Sequence, residues 1–262
     1  MDKVSYLEIK RREASQTPIF KREKMCYTCY WLQEHCRCSL IHPFATQTRF
    51  VILMHIMEAK QEKLGTGRIS NAVLPNSEII VGIDFTENQR VNSILHDPEN
   101  YCMVLYPGDQ SLNISKEDIT PLLEKKKSGR NLVVFLIDGT WTCAKKMMTQ
   151  SLNIRRLPRL SFSASHESIF HIKEQPAAYC LSTLESIHCF LSEADRRGLE
   201  HLPGRPQDNL IHVFESMIQF MKDCALDPAK AGYRRGPRNG YSDPKTRSKR
   251  KPTSGRNIVL VD

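Results

Sequence analysis

Four cysteines stand close together near the start of the chain, in the pattern Cys26-x2-Cys29-x6-Cys36-x-Cys38. Zn²⁺ takes four thiolates in a tetrahedron; a C-x2-C turn presents two sulfurs on one side, and a second close pair can close the other. The spacing predicts a zinc knuckle whose metal is coordinatively saturated, and hence structural rather than catalytic. His35 and His42 are near enough to replace one thiolate each, and four reduced, unligated thiols are the plain alternative. Cys102, Cys143, Cys180, Cys189 and Cys224 stand singly and read as small buried apolar residues.

A second set of residues follows the apolar runs of the chain: His55-x2-Glu58, Gly65-Thr66-Gly67-Arg68, Tyr106-Pro107-Gly108 and Asp138-Gly139-Thr140-Trp141. In open α/β sheets ligands gather beyond the carboxyl ends of the strands, which is where such segments fall. The Asp138 carboxylate can take a proton as a general base, or simply cap the helix that follows it. Gly67, Gly108 and Gly139 let the backbone approach a ligand closely. Trp141 offers a flat face for a base, or fills the core. Neither a Walker motif nor Gly-x-Gly-x-x-Gly is present, so nothing in the sequence points to a nucleotide phosphate cradle.

Hydrophobic patterning predicts the elements that must position these residues. Arg49 to His55 reads as a buried strand, followed by a helix from Met57 to Leu64 and a break at Gly65-Thr66-Gly67. Glu78 to Gly82 and Cys102 to Tyr106 predict two more strands, the second stopped by Pro107-Gly108. Lys116 to Lys127 opens with Glu117 and Asp118 and closes with Lys125, Lys126 and Lys127, the charge order that complements a helix dipole. Asn131 to Ile137 has no polar alternation, as expected of a strand covered on both faces at the centre of a parallel sheet. Further helices are predicted over Trp141 to Gln150, Leu181 to Arg197 and Gln207 to Cys224, the last carrying an apolar stripe of Leu210, Val213, Phe214, Met217 and Phe220. Strands alternate with helices, so the fold class is α/β, a mostly parallel sheet flanked by helices.

With 40% hydrophobic and 26% charged residues, the 262-residue chain has the composition of a globular protein rather than a disordered one. Its longest apolar run, Phe50 to Met54, falls far short of the roughly 18 residues that span a bilayer, so no membrane partner is expected. Met1 to Lys24 is charged throughout, with no secretory pattern, and the thiols are expected to stay reduced in the cytoplasm. Between Pro228 and Arg256 ten lysines and arginines face Asp243 alone, which accounts for the whole net charge of +9. That segment is too polar to fold on its own and suits a polyanion such as nucleic acid; a solubility tail and, in a eukaryote, a nuclear-import address at Lys245 to Pro252 are the alternatives. Three regions follow: 1–45 with the knuckle, 46–226 as the catalytic domain, and 227–262 as the basic tail.

Asp138-Gly139-Thr140-Trp141 after a central strand resembles the DTW-domain family of tRNA-uridine aminocarboxypropyltransferases. The resemblance extends over Cys26 to Arg197 and includes the four-cysteine knuckle, His55 with Glu58 and Lys60, Thr66-Gly67-Arg68, Tyr106-Pro107-Gly108 and Ser182-Thr183-Leu184-Glu185. The chain departs from the family at Gly65, where Asn is usual, and at Lys173, where an arginine is expected before Pro176. The resemblance implies a SPOUT-like fold with a C-terminal knot, S-adenosylmethionine as donor, and transfer of its 3-amino-3-carboxypropyl group to N3 of a uridine in tRNA with release of methylthioadenosine. A monomer is expected, and Asp138, at the mouth of the central strand, is the carboxylate expected to serve as general base. Thr66, Gly67, Arg68, Tyr106, Pro107, Gly108, Gly139, Thr140, Trp141, Ser182, Thr183 and Glu185 are then expected around the donor. Arg68 is equally suited to the donor carboxylate, a tRNA phosphate or a solvated surface, while Ser182, Thr183 and Glu185 also read as the cap and first turn of a helix. The competing readings are a SPOUT-type RNA methyltransferase and a zinc-knuckle RNA-binding protein without catalysis.

Overall fold

The computed structural model describes residues 26–61, 65–164, 167–170 and 180–226. The tail beyond 226, Lys173 and residues 62–64 of the first expected helix lie outside them. Six strands form one sheet: β1 (Arg49–His55), β2 (Ser77–Gly82), β3 (Asn100–Leu105), β4 (Ser111–Asn113), β5 (Asn131–Asp138) and β6 (Arg159–Ser161). Their spatial order is β2-β1-β5-β3-β6-β4, and every neighbouring pair is parallel. The expected central strand is β5, which has β1 on one side and β3 on the other.

Eight helices connect and cover the strands in the described residues: α1 (Ile56–Gln61), α2 (Thr66–Val73), α3 (Gln89–His96), α4 (Thr120–Lys127), α5 (Trp141–Gln150), α6 (Leu152–Arg155), α7 (Thr183–Arg196) and α8 (Asp208–Leu226). Because successive strand side chains point to opposite faces, β1 and β5 feed two cores. Phe50, Ile52, Val134 and Leu136 pack with α2, α7 and α8, while Val51, Leu53, Val133 and Phe135 pack with α3, α5 and α6. This double covering is why neither strand shows polar alternation. The predicted stripe of α8, Leu210 to Phe220, is buried in the first of these cores.

Two expectations need correcting. Gly65-Thr66-Gly67 does not break the chain into a loop; Gly65 is the N-cap of α2, with φ −66°, and Thr66 and Gly67 are its first turn. Ile69 and Val73, four apart, supply the apolar face that holds it. The helix predicted from Lys116 begins only at Thr120. Glu117 instead accepts from the Asn113 amide at 3.1 Å, and Asp118 accepts from the amide and hydroxyl of Thr120 at 2.9 and 2.6 Å, so both acids are used by the turn that precedes the helix.

The N-terminal knuckle is docked on the sheet domain. Cys29 and Trp31 are buried in the same core as α8, with the Trp31 and Phe220 rings 5.3 Å apart. Asn209 of α8 holds the following segment twice, accepting from the His42 amide and donating to the Leu40 carbonyl, both at 2.9 Å.

Candidate active site and metal centre

The parallel register puts Met54 beside Asp138, so β1 and β5 end side by side at the carboxyl edge of the sheet. Asp138 is 6% exposed, and its Oδ1 accepts from Thr183 Oγ1 at 2.6 Å. It does not cap α5; Thr140 does, accepting from the Cys143 amide at 3.4 Å. Thr183 is likewise released from capping, because Ser182 is the N-cap of α7 in a capping box completed by Glu185. Such a cap stabilises a helix by about 1 kcal/mol and here fixes the residue that grips Asp138.

The first turn of α2 closes on the same carboxylate. A Cβ on Gly67 would stand 2.5 Å from Asp138 Oδ2 and 3.0 Å from Met54 Cε, closer than carbon tolerates. Only glycine lets α2 lie this near. Gly139 is tight as well, since a Cβ there would meet those of His55 and Cys143 at 3.3 and 3.4 Å. His55 is buried; its Nδ1 accepts from the Met57 amide at 3.2 Å, which leaves the ring proton on Nε2. Burial, reinforced by the charge of Lys146, lowers the His55 pKa and keeps the ring neutral.

The structure therefore brings together Gly67, Asp138, Gly139 and Thr183, with His55 alongside. Trp141, at the first position of α5, is half-buried and lies in neither core. Tyr106, Pro107 and Gly108 follow the end of β3, next to β5, and both Pro107 and Gly108 are exposed. Thr66 is buried and its carbonyl accepts from Ser70 Oγ at 2.9 Å. Arg68 donates to the Ala59 carbonyl at 2.6 Å, and its guanidinium lies 3.9 Å from the centre of the Tyr30 ring. Glu185 stands apart from the group: fully buried, it accepts from Ser168 Oγ, the Ile169 amide and the Ser182 amide at 2.7–3.0 Å. Its carboxylate is consumed in fastening the 167–170 segment to α7, so it acts on the edge through Ser182 and Thr183.

Two cations near this edge carry no sequence motif. Lys146, an exposed residue of α5, is close enough to depress His55. Arg159 opens β6 with its guanidinium 5.6 Å from the Tyr106 ring centre and Nη1 2.8 Å from where a Gly108 Cβ would be; no ion pair is recorded for it among the described residues. Short strands are weakly patterned, and nothing around Leu157-Pro158-Arg159 marks the arginine as special.

The cysteine centre is a separate structure. All four Sγ atoms lie within 4.8 Å of one another, with Cys26 to Cys38 and Cys29 to Cys36 each at 3.7 Å. Sulfurs about 2.3 Å from a tetrahedral Zn²⁺ stand about 3.75 Å apart, so the residues fit that ion. The histidine alternatives are not part of the cluster: the His35 ring lies tilted against Phe220, with centres 4.6 Å apart, and the cluster comprises the four cysteines alone. Burial pushes the Cys29 thiol up to about 11 and also raises Cys38; at Cys26 the backbone amides of Cys29 and Thr28 outweigh burial and hold the thiol at about 6. Four thiolates this close repel one another, and a dication at their centre removes that cost.

A buried carboxylate at the end of the central parallel strand, a glycine helix turn closed on it and a docked four-cysteine knuckle are the features of this edge that a comparison with known families has to account for. Residues 23–222 match the DTW domain, and the chain belongs to that family. It is 31% identical over 197 residues to tRNA-uridine aminocarboxypropyltransferase 2 of Drosophila melanogaster, covering 72% of this chain and 74% of that protein. It is 25% identical over 205 residues to the proteins of the same name from Macaca fascicularis and Mus musculus, covering 76% of this chain. The match spans 64% of the length of each of those two relatives. No solved structure matches the chain.

Proposed function

We propose that this protein is a tRNA-uridine aminocarboxypropyltransferase acting on N3 of a uridine. The observation that carries the reading is the Asp138 carboxylate, gripped by Thr183 and closed over by Gly67 at the carboxyl edge of β5, in a chain of the DTW family. S-adenosylmethionine, when bound, supplies a sulfonium that activates the methylene of its amino acid arm. In the transfer the uridine N3 gives up its proton and bonds to that methylene, the carbon–sulfur bond breaks towards sulfur, and methylthioadenosine leaves.

Asp138 is the acceptor for the N3 proton, and Thr183 orients it by donating to Oδ1. A sulfonium carries three carbons open to attack, of which the methyl is ordinarily the easiest. Selection of the methylene therefore depends on orientation, which the close backbone at Gly67 and Gly139 and the half-buried Trp141 are suited to impose. Arg159 beside Tyr106 suits the carboxylate of the donor arm, and the exposed Lys146 suits a tRNA phosphate. A zinc ion would be held by Cys26, Cys29, Cys36 and Cys38, and four thiolates would saturate it and leave it a structural role. The insertion of β6 between β3 and β4 is a non-sequential crossover and supports the SPOUT-like reading.

Asp138→Asn tests the proposal. It keeps size and hydrogen-bonding capacity but removes the base, so single-turnover transfer is expected to fall by roughly two to four orders of magnitude, with donor affinity nearly unchanged. An Asp138→Asn protein that transfers at the wild-type rate excludes Asp138 as base and turns attention to Glu58. Product mass checks the reaction itself: an added methyl with adenosylhomocysteine released would make the protein a methyltransferase instead.

A further inference from the structure

The two tyrosines of the turn from Cys26 to Trp31 are turned away from the core. Tyr27 is 74% exposed and Tyr30 46%, although Cys29 and Trp31 on either side of Tyr30 are buried at 3% and 1%. Tyr30 has φ 60°, a left-handed conformation that glycine or asparagine adopts more cheaply. The turn is pinned by two backbone bonds, from the Cys26 amide to the Trp31 carbonyl at 2.7 Å and from the Tyr30 amide to the Cys26 carbonyl at 2.8 Å. Tyr30 belongs to neither core, so core burial does not account for an aromatic residue in this costly conformation.

What lies under Tyr30 connects it to the candidate active site. Its ring is 3.9 Å from the Arg68 guanidinium carbon, and Arg68 follows Gly67, the residue packed against Asp138. With the guanidinium over its ring, Tyr30 still keeps 46% of its surface exposed to solvent. Arg68 itself is held by the Ala59 carbonyl, so the stack is anchored to both α1 and α2. Flat aromatic faces backed by a cation are the chemistry that binds unpaired bases, because every base has a π-face and the strand is anionic.

We propose that Tyr27, Tyr30 and Arg68 form a stacking platform for unpaired nucleotides of the tRNA flanking the target uridine. This rests on the reading of the protein as a tRNA-modifying enzyme. It gives the knuckle a task beyond holding its own fold: the metal fixes the loop that holds the tyrosines beside the catalytic edge, so a uridine in a single-stranded loop is favoured over one in a helix.

The experiment uses the full-length, zinc-loaded chain with two probes, bulk tRNA and a short single-stranded oligouridylate carrying one 2-aminopurine. Tyr30→Ala and Tyr27→Ala are each expected to weaken binding of both probes by about tenfold, a typical worth of one stacked base. Tyr30→Trp is expected to restore affinity and the quenching of 2-aminopurine, while zinc content and S-adenosylmethionine affinity stay at wild-type values in all three. If the alanine variants bind both probes as the wild type does, or if Tyr30→Trp is as weak as Tyr30→Ala, the platform is refuted and the tRNA reading survives. If the wild type binds neither probe, the tRNA reading fails and takes the platform with it. Should Tyr30→Ala lose zinc, Tyr27→Ala decides alone, since Tyr27 makes no recorded contact among the described residues.

Discussion

Gly67→Ala is expected to disable transfer while leaving the chain folded. The added carbon would lie 2.5 Å from Asp138 Oδ2 and 3.0 Å from Asp138 Cγ and Met54 Cε. Carbon and oxygen rest at about 3.3 Å or more, so the gap must open by about 0.8 Å. Met54 can yield at its flexible end. Asp138 cannot yield as freely, because its side chain is short and its other oxygen is 2.6 Å from Thr183. Losing that hydrogen bond to a charged group costs about 1.5–3 kcal/mol, and replacing glycine by alanine within α2 returns about 1 kcal/mol. The net loss of about 0.5–2 kcal/mol is survivable for a domain of this size. A carboxylate displaced by most of an ångström, however, loses about a hundredfold in rate. Single-turnover release of methylthioadenosine on tRNA, read beside thermal unfolding, separates the two effects. A folded Gly67→Ala protein with the wild-type rate would show that this contact does not govern the carboxylate.

Cys29→Ser should drop the zinc content from roughly one per chain and shift Trp31 emission to the red, since Trp31 is packed through the same loop; zinc-free wild-type protein by elemental analysis would remove the metal from the account. Glu78 is buried enough for its pKa to rise, but Arg90 and Arg49 outweigh this and hold it below the usual carboxylate range. The stability it adds is present above its unfolded value near 4.5 and is lost as pH falls through the lower folded value, so Glu78→Gln should lose less stability than the wild type between neutral pH and pH ~3. Equal losses in urea titrations at the two pH values would contradict this. Gly65→Asn gives α2 a capping side chain at a φ of −66°, but its Cβ would stand 3.2 Å from Arg68 Cδ, so the expected gain of a few tenths of a kcal/mol requires the Arg68 side chain to shift; a lower melting temperature would show that it does not.

The long apolar elements could be read in the sequence almost residue by residue, because burial on both faces of β1 and β5 and along α8 leaves a continuous hydrophobic signature. The run Arg49 to His55 and the helix Trp141 to Gln150 have the bounds expected of them. What the pattern missed is short or punctuated. β4 and β6 have three residues each, and Ser111-Leu112-Asn113 and Arg159-Leu160-Ser161 hold one apolar residue apiece. α2 was hidden by its glycines, which normally end helices but here serve as the cap and as the close approach to Asp138. At the site, the residue types were legible and their pairing was not. Periodicity does not say that the Thr183 hydroxyl would leave the cap to Ser182 and reach across to a strand 45 residues earlier, or that Glu185 would be spent inside the fold.

The strand order also dictates a schedule. β1 and β3 are made before β5 yet are separated by it, and β3 and β4 are made before β6 yet are separated by it. Neither gap can close early: Ser111 has no strand partner until Arg159 has been synthesised, and the edges flanking both slots stay unpaired in the meantime. At roughly 5–20 residues per second, a ribosome leaves those edges open for seconds, long enough for strand-to-strand association with other chains. Such non-local pairing predicts slow refolding from denaturant and a nascent chain that depends on chaperones until β6 has emerged.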